Sequence, residues 1–260
     1  MPDVKLYSIP GSHPAAAARA MLEHKGIRYR RVDLPPIVSR AVVRLRFSGN
    51  RVPALVVDGR KIQGSRNISR ELDVIQPEPP LFPADPEQRA AVEEAERWGD
   101  EEFQQLPRTI SWWALKRRKG DLGSFLEDAG PAARFGMPSR VAVATSGPIL
   151  RMAIRLNDST DETVRSTLAA LGPALDEVDR LISVRVIGAD PPNAADFQIG
   201  ASVALLRTFE DVRAAIEDRP AAALARRLYP WYPGRVSPSF PPEWLSPLAR
   251  QESGTARQTG

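Results

Sequence analysis

The 260-residue chain contains no cysteine, and this absence excludes several kinds of chemistry. Without cysteine there can be no disulfide, no thiolate metal site and no redox cycle on the protein's own sulfur. Any thiol chemistry must therefore use a thiol that comes from outside the chain. The two histidines, His13 and His24, lack further ligands at metal-site spacing, so we predict no metal centre.

Long apolar runs and a large charge excess are also missing. Gly147, Pro148 and Arg151 interrupt the most apolar window, VAVATSGPILRMAI, which falls short of the roughly 20 apolar residues that a membrane-spanning helix needs. The first residues show no basic segment followed by an apolar stretch, so we expect no signal peptide and a cytoplasmic location. The 36 basic residues are nearly balanced by 32 acidic ones. The basic run 116–119 lacks an accompanying zinc-finger or RNA-binding motif and is typical of a solvated helix end, which argues against a nucleic-acid partner.

The first 76 residues alternate strand and helix patterns. Strand patterns lie at 4–7, 27–34, 53–57 and 61–63, and helix patterns lie at 14–25, 37–47 and 65–75. Asp58-Gly59 separates the last two strand patterns and is a strong hairpin signal. The order βαβ-α-ββα predicts an α/β domain with one antiparallel hairpin.

Beyond residue 76 the pattern becomes helical. The segment 77–85 is rich in proline, so we place a linker and a domain boundary there. Amphipathic patterns in 86–248 predict an all-α helical bundle domain. Residues 120–139 are rich in Gly and Pro and predict a long loop or an insertion, and the polar tail 249–260 is typical of disorder.

One local motif in the helical part is specific. In PPNAADFQIG, Asn193 can cap a helix by accepting from the backbone N–H three residues on, while Asp196 reaches back to the N–H of Asn193. This capping box predicts a helix that begins after Asn193 and has a structural role.

Several segments, in order, resemble the cytosolic glutathione transferase superfamily over about residues 4–245. They are LYSIPGSHPAAAARAMLEHKGIRYRRVDL, RVPALVVDG, IQGSRNISREL, the proline-rich segment and PPNAADFQIG. The resemblance implies a thioredoxin-like, thiol-binding domain at 1–76, an all-α domain at 86–248, and a homodimer. It also implies an enzyme that adds the sulfur of glutathione, or of a related low-molecular-weight thiol, to an apolar electrophile. Glutathione would be a co-substrate, with no permanently bound cofactor.

The resemblance gives the corner before the first helix a role. In this family the residue at that helix N-terminus interacts with the sulfur of glutathione, and Ser12 stands there. A hydroxyl donor and the positive end of the helix dipole both favour a thiolate. An ordinary N-cap is the alternative for Ser12, and Tyr7 and Ser8 are rival hydroxyls. His13 could act as a base, although the pattern favours an exposed loop histidine without function.

The resemblance also implies a site for a peptide-like thiol. Pro53 matches the family's cis-proline, where Val52 would pair its backbone with the cysteinyl part of the ligand; a trans proline at an edge strand is the alternative. Gly64 and Ser65 open the next helix, and Ser65 matches the serine that holds the γ-glutamyl carboxylate.

The sequence departs from the family pattern at this second corner. The family places Glu or Gln directly before the serine, whereas Gln63 here is separated from Ser65 by Gly64. Arg66 follows and would repel the ligand's α-ammonium, and Arg51 could compensate by pairing with a carboxylate. This altered corner keeps open a non-catalytic binding or scaffold protein of the same fold. A thiol-dependent isomerase is a second alternative.

The sequence leaves undecided which residues form the electrophile site. The family's site lies between the domains, where the aromatic residues of the first helices of the α domain would either line it or form core: Trp98, Phe103, Trp112 and Trp113. The segment 228–245, LYPWYPGRVSPSFPPEWL, would either cover the cleft as a lid or wrap the helices.

Overall fold

The structure is a computed structural model that describes residues 2–47, 49, 51–127, 129–130, 133 and 136–248. The tail 249–260, which the sequence predicts to be disordered, lies outside these residues, as does part of the predicted loop 120–139.

Four strands and three helices form the N-terminal part in the predicted order βαβ-α-ββα. The strands are β1 (Val4–Ser8), β2 (Arg30–Asp33), β3 (Ala54–Val57) and β4 (Arg60–Gln63), and the helices are α1 (His13–His24), α2 (Pro36–Arg46) and α3 (Ser65–Ile75). The sheet order is β2-β1-β3-β4. β1 is parallel to β2 and antiparallel to β3, and β3 pairs antiparallel with β4 across the turn at Asp58-Gly59. The thioredoxin-like fold class is confirmed.

The rest of the described chain is helical. Its helices are α4 (Pro86–Trp98), α5 (Gln105–Arg117), α6 (Leu122–Phe125), α7 (Ser139–Ala144), α8 (Gly147–Leu156), α9 (Asp161–Ser183), α10 (Ala194–Leu206), α11 (Glu210–Ile216), α12 (Pro220–Leu228) and α13 (Pro242–Leu245). A π-helical turn, Gly99–Phe103, joins α4 to α5. Every helix within the described residues is too short or too polar to cross a membrane.

Helix α10 lies at the centre of the molecule. All of its residues are buried, as expected for a helix that is apolar on every side. It packs against α1 of the N-terminal part and against α4 and α12 of the helical part. Its predicted capping box is confirmed: Asn193 Oδ1 accepts from Asp196 N at 3.1 Å, and Asp196 Oδ2 accepts from Asn193 N at 2.9 Å. The N-terminal end of the central helix is therefore fixed by a local sequence motif.

The hydrophobic core runs through both parts of the chain. One cluster includes Leu6 and Met21 of the N-terminal part together with Ile110 and Leu168 of the helical part. A smaller cluster on the other side of the sheet packs against α2 and includes Tyr7. The sheet is thus covered on both sides, and α1 lies between the sheet and the helical part.

A buried cation anchors the proline-rich segment between α3 and α4. The Lys25 side chain is fully buried, and its Nζ donates to the carbonyl oxygens of Gln76 at 2.6 Å and Pro79 at 2.7 Å. It also pairs with Asp73 Oδ1 at 2.6 Å. Further along the segment, the Leu81 carbonyl accepts from Ala194 N at 2.9 Å. The segment is therefore bound to α1 at one end and to α10 at the other.

Candidate functional site

Ser12 is the N-cap of α1. Its backbone is extended, and its Oγ accepts from Ala15 N at 3.4 Å. This distance exceeds the usual range for an N–H···O bond, so the cap is weak. Within the part of the chain that the structure describes, the Ser12 hydroxyl donates to no acceptor. The N-cap alternative is thus observed, while the hydroxyl hydrogen stays available to a ligand.

A small cavity of about 50 Å³ lies beside Ser12. Its walls come from the β1–α1 loop, the end of β2, α6 and the C-terminal segment. The lining residues include Ser8, Gly11, Ser12, Arg31, Asp33, Phe125, Trp231 and Tyr232. The cavity therefore combines aromatic side chains with an ionised wall.

The ionised wall consists of Asp33 and Arg31. Arg31 Nε lies 3.0 Å from Asp33 Oδ2, which also accepts from Gly130 N at 3.1 Å. Sequence reasoning missed both residues. A signal was present, because Asp33 ends β2 directly opposite Ser8 of the parallel strand β1, and ligands of open α/β sheets bind at the carboxyl ends of their strands.

The C-terminal segment covers this cavity. Tyr232 donates its hydroxyl to the Gly11 carbonyl at 2.8 Å, and the guanidinium carbon of Arg19 lies 3.9 Å from the centroid of the Trp231 ring. Further along, Phe240 and Trp244 pack against Trp113 of α5. The segment 228–245 therefore does both things that the sequence left open: its first part is a cover, and its second part wraps the helices.

The aromatic residues of α4, of the π-helical turn and of α5 pack in the core. Phe103 and Trp113 are almost fully buried, and Trp98 stacks on Phe103 with ring centroids 5.2 Å apart. Trp112 packs against the same cluster. None of the four lines the cavity beside Ser12. The packing of these residues supports the core interpretation.

Tyr7 lies on the opposite side of the sheet from α1. Its ring packs edge-on against Phe47, and its hydroxyl accepts from Arg46 Nη1 at 3.2 Å. It does not line the cavity beside Ser12, whereas the rival hydroxyl Ser8 does. The geometry therefore favours Ser12 or Ser8 over Tyr7 as the residue closest to a ligand there.

His13 is buried, so the expectation of an exposed loop histidine is wrong. Only 4% of its surface is exposed, because the first turn of α1 packs against the start of α5. Burial lowers the pKa of His13 well below 6.5, the Arg108 charge lowers it further, and a hydrogen bond with the Gln104 backbone acts in the opposite direction. Among the described residues, its Nε2 has no hydrogen-bond partner. These effects together favour the neutral imidazole of His13 in the folded protein near pH 7.

The Val52–Pro53 bond is cis, as the resemblance predicted. The last pair between β1 and β3 joins Tyr7 to Ala54, so the backbone of Val52 lies beyond the paired register. Pro53 is buried, and its carbonyl accepts from Gly64 N at 3.0 Å. This bond connects the loop before β3 to the start of α3.

Gln63 holds the loop before Pro53. Its Oε1 accepts from Gly49 N at 2.6 Å, and its Nε2 donates to the Arg51 carbonyl at 2.7 Å. Arg51 itself is exposed. Both ends of the Gln63 amide are therefore engaged by the protein's own backbone.

Helix α3 begins without a side-chain cap. Gly64 has a φ of 86°, which a glycine adopts freely, and no side chain of the described residues accepts from the first N–H groups of the helix. Ser65 is buried, and its Oγ donates to Asp100 Oδ1 across 3.5 Å. A helix start of this kind is suited to an anion.

Arg66 points towards the helical part. Its Nη1 lies 2.8 Å from Glu101 Oε1, and its Nε lies 4.0 Å from Glu96 Oε2. The charge that the sequence suggested would repel a ligand's ammonium is therefore paired within the protein.

The π-helical turn brings a carboxylate to the same corner. Gln104 Nε2 donates to Asp100 Oδ1 at 2.6 Å, and Gln198 Nε2 approaches the same oxygen at 3.5 Å. Burial raises the pKa of Asp100, while the Arg66 charge and the Gln104 hydrogen bond act against this rise. Sequence reasoning missed Asp100, because no motif marks the turn.

The predicted site residues do not share one cavity. Ser12 lines the cavity under the C-terminal segment, whereas Gln63 and Gly64 line a shallow, open concavity with Gly49, Lys61 and Asn67. Val52, Pro53 and Ser65 line neither.

Comparisons with known proteins identify the N-terminal part and the overall fold. Residues 6–80 match the family model described as glutathione S-transferase, N-terminal domain. No curated protein matches the chain. Among solved structures, a glutathione S-transferase from Rhodospirillum rubrum F11 is 19% identical with a TM-score of 0.59, and FzlA from C. crescentus is 17% identical with a TM-score of 0.58. Both alignments cover 94% of this chain and 99% of the other.

A third structure carries a ligand. The theta class glutathione S-transferase from Xanthomonas axonopodis pv. citri, with glutathione bound, is 16% identical with a TM-score of 0.55. The alignment covers 87% of this chain and 97% of that one. At these identities the solved structures show the fold.

Proposed function

We propose that the chain is a thiol transferase, because residues 6–80 match the glutathione S-transferase N-terminal domain and the whole chain has the fold of solved glutathione S-transferases. It binds glutathione or another low-molecular-weight thiol and transfers the thiol's sulfur to an electrophilic carbon. The thiol must come from outside, since the chain has no cysteine.

The observation that carries this proposal is the position of Ser12. It caps α1 at the edge of a cavity, and its hydroxyl hydrogen has no acceptor among the described residues. A thiolate placed there accepts that hydrogen and also lies at the positive end of the helix dipole. Both interactions favour the thiolate over the thiol and lower the thiol's pKa.

The rest of the thiol binds along the cis-proline loop and the start of α3. Val52 has its backbone beyond the β-ladder and offers it to the ligand's peptide group. The uncapped N–H groups at the start of α3, from Ser65 onward, receive a ligand carboxylate. The glutathione bound to the structurally similar theta class enzyme supports a ligand of this kind.

The chemical step is a substitution at carbon. The thiolate sulfur attacks the electrophilic carbon, an S–C bond forms, and the bond from carbon to the leaving group breaks, with the electron pair going to the leaving group. The thiol's proton has already passed to water. In this step Ser12 donates to the sulfur and orients it, and it is not itself the nucleophile.

A titration of bound glutathione tests the role of Ser12. Ser12→Ala removes one charge-assisted hydrogen bond worth about 1.5 to 3 kcal/mol. Because one pKa unit corresponds to about 1.36 kcal/mol, the pKa of the bound thiol should rise by roughly one to two units. Turnover below that pKa should fall about tenfold. Ultraviolet absorbance of the thiolate against pH measures the shift.

Ser12→Thr is the matched control, because it keeps both the hydroxyl and the cap. It should leave the thiol pKa close to that of the wild type. An unshifted titration curve for Ser12→Ala would remove Ser12 from the mechanism.

A non-catalytic protein of the same fold is the second candidate. The observation in its favour is Asp100, whose carboxylate lies against the helix start that should receive the ligand's carboxylate. Calorimetric titration with glutathione separates the two candidates: heat of binding supports the transferase, and no heat at millimolar ligand supports the non-catalytic protein.

A further inference from the structure

Two sequence features that the proposed thiol chemistry does not use lie side by side in the structure. The most apolar window of the chain lies in α7 and α8, and the basic run 116–119 lies at the end of α5. Helix α8 packs against α5, and Lys119 Nζ donates to the carbonyl of Ala144, the last residue of α7, at 2.5 Å. We propose that α7, α8 and the basic run form a surface that binds the headgroup region of an anionic lipid bilayer without crossing the bilayer.

Helix α8 exposes a continuous stripe of mixed character. Leu150 is its one buried residue. The exposed residues recur at the spacing i, i+3, i+4, i+7 and i+8, which places them on one face of the helix: Pro148, Arg151, Met152, Arg155 and Leu156. Met152 is 59% exposed and Leu156 is 50% exposed. The stripe therefore presents apolar and cationic side chains in alternation.

Helix α7 extends this character. None of its residues is buried, Arg140 is exposed, and Val141 is 39% exposed. Of the six large apolar side chains that are exposed among the described residues, three lie on α7 and α8. Single exposed apolar residues are normal on a protein surface, whereas a cluster of them marks an interaction site.

The charges on α7 and α8 have one sign. Residues 136–157 contain three arginines, Arg140, Arg151 and Arg155, and no aspartate or glutamate. In the part of the chain that the structure describes, none of the three has a hydrogen-bond or ion-pair partner. Three guanidinium groups are therefore available to anions from outside the protein.

The acidic residues that follow α8 do not neutralise this charge. Asp161 lies 3.1 Å from Arg117 Nη2, and Asp158 accepts from Thr163 Oγ1 at 3.3 Å. Glu162 is exposed. These three acids stand against the seven basic residues of 116–119 and 136–157. The surface therefore keeps a net positive charge.

An anionic bilayer matches both properties of this surface. Its headgroups attract clustered basic residues, and the boundary between headgroups and acyl chains accepts the apolar side chains of a helix that lies in the membrane plane. Arg151 and Arg155 can reach the headgroups through their long stems while Met152 inserts. The core of a protein–protein interface is instead depleted of charge. The alternation along α8 therefore favours a bilayer over an acidic protein.

Co-sedimentation of the full chain with lipid vesicles tests the charged part of the surface. We expect binding to vesicles of about one third phosphatidylglycerol, release at high salt, and no binding to pure phosphatidylcholine. The double variant Arg151→Gln and Arg155→Gln should lower the partition coefficient by about thirtyfold, which corresponds to about 2 kcal/mol for the two charges.

The double variant Arg44→Gln and Arg185→Gln is the matched control. Both arginines are exposed, have no partner among the described residues, and lie on α2 and in the turn after α9. The net charge falls by the same amount as in the first double variant. The partition coefficient should change by about twofold at most.

A fluorescent label tests the apolar part of the surface. Because the chain has no cysteine, Met152→Cys provides one attachment site for a dye whose emission shifts to shorter wavelength in apolar surroundings. Val184→Cys is the control, because Val184 is 54% exposed and lies outside α7 and α8. We expect anionic vesicles to shift the emission at position 152 and to leave that at position 184 unchanged.

Three results would overturn the inference. One is no binding to anionic vesicles, and another is an equal loss of binding in the two double variants. The third is an unchanged emission at position 152 with vesicles, or a shift that occurs without vesicles and follows self-association in sedimentation velocity. A second copy of the chain would then cover this surface. None of these results bears on the proposed transferase function, which rests on Ser12 and the start of α3.

Discussion

Ser65 donates its hydroxyl to Asp100 across 3.5 Å, so a carboxylate of the helical part lies at the start of the helix that the thioredoxin-like domain offers to a ligand's carboxylate. Two like charges cannot share this corner without repulsion. The start of α3 and the π-helical turn must therefore be considered together when ligand binding is analysed.

Asp100→Asn should tighten the binding of a thiol that carries a carboxylate. The substitution removes the negative charge and keeps the side chain's shape, and two unit charges in near contact repel by about 1 kcal/mol even in water. We expect mercaptopropionate to bind about fivefold more tightly in calorimetric titration. Binding of the neutral thiol mercaptoethanol should not change. If mercaptopropionate also binds unchanged, its carboxylate does not lie at the start of α3.

His13 should make the folded protein sensitive to acid. Its pKa is lowered in the folded state by burial, so the unfolded chain binds a proton that the folded chain excludes. The stability that this gives is complete above the unfolded pKa of about 6.5 and is lost as the pH falls below it. His13→Asn should therefore lose less stability than the wild type when urea unfolding is compared between about pH 7 and pH 5. His24, whose pKa is also lowered, is present in both proteins and cancels. If both proteins lost the same stability between these pH values, the burial of His13 would be contradicted.

Asn193→Ala should destabilise the protein without touching the thiol site. It removes the cap of α10 and also the bond from Asn193 Nδ2 to the Val186 carbonyl, at 2.8 Å. Together these losses should lower the free energy of unfolding by about 1–2 kcal/mol. Asn193→Ser keeps a cap acceptor, so its free energy of unfolding should lie between those of the wild type and Asn193→Ala. Lower thiol affinity with unchanged stability would mean that the motif is not structural.

Tyr232→Phe and Tyr229→Phe form a matched pair. Each loses one hydroxyl bond to a carbonyl: Tyr232 to Gly11 at 2.8 Å, and Tyr229 to Phe197 at 2.6 Å. Each should lower the free energy of unfolding by about 1 kcal/mol, seen in thermal unfolding. Only the Tyr232 bond joins the C-terminal segment to the β1–α1 loop that carries Ser12, so only Tyr232→Phe should lower the turnover of glutathione with a generic electrophile. Equal turnover in both variants would mean that the Gly11 bond does not position this loop.

Features specified by neighbouring residues were predictable from the sequence. The capping box needs only Asn193 and Asp196, and the hairpin needs only Asp58-Gly59, so in each case local chemistry decided the structure. The cis bond at Pro53 followed from the resemblance, because the residues around it matched in order.

Features that depend on distant partners were not predictable. His13 was expected to be exposed because a Ser-His-Pro corner is polar, but α5 covers it. Arg66 is paired with Glu101, and nothing in the order of residues around Arg66 reveals that partner. The spacing of Trp113 fits a pocket or a core equally well. Its stacking on Phe240, which is distant in sequence, supports the core.

The buried Lys25 restricts the movement of the proline-rich segment between α3 and α4. Four prolines lie between α3 and α4, and such a segment is typical of a linker about which two domains can move. Instead, the Lys25 ammonium group donates to the carbonyls of Gln76 and Pro79. A movement of the segment away from α1 would break these bonds and leave a buried charge without acceptors, which is costly. An N-terminal fragment that ends at residue 76 would lack the Pro79 carbonyl, so Lys25 would lose one of its acceptors in every molecule. The shortest fragment of this protein that keeps Lys25 satisfied therefore ends beyond Pro79, inside what the sequence presents as a spacer.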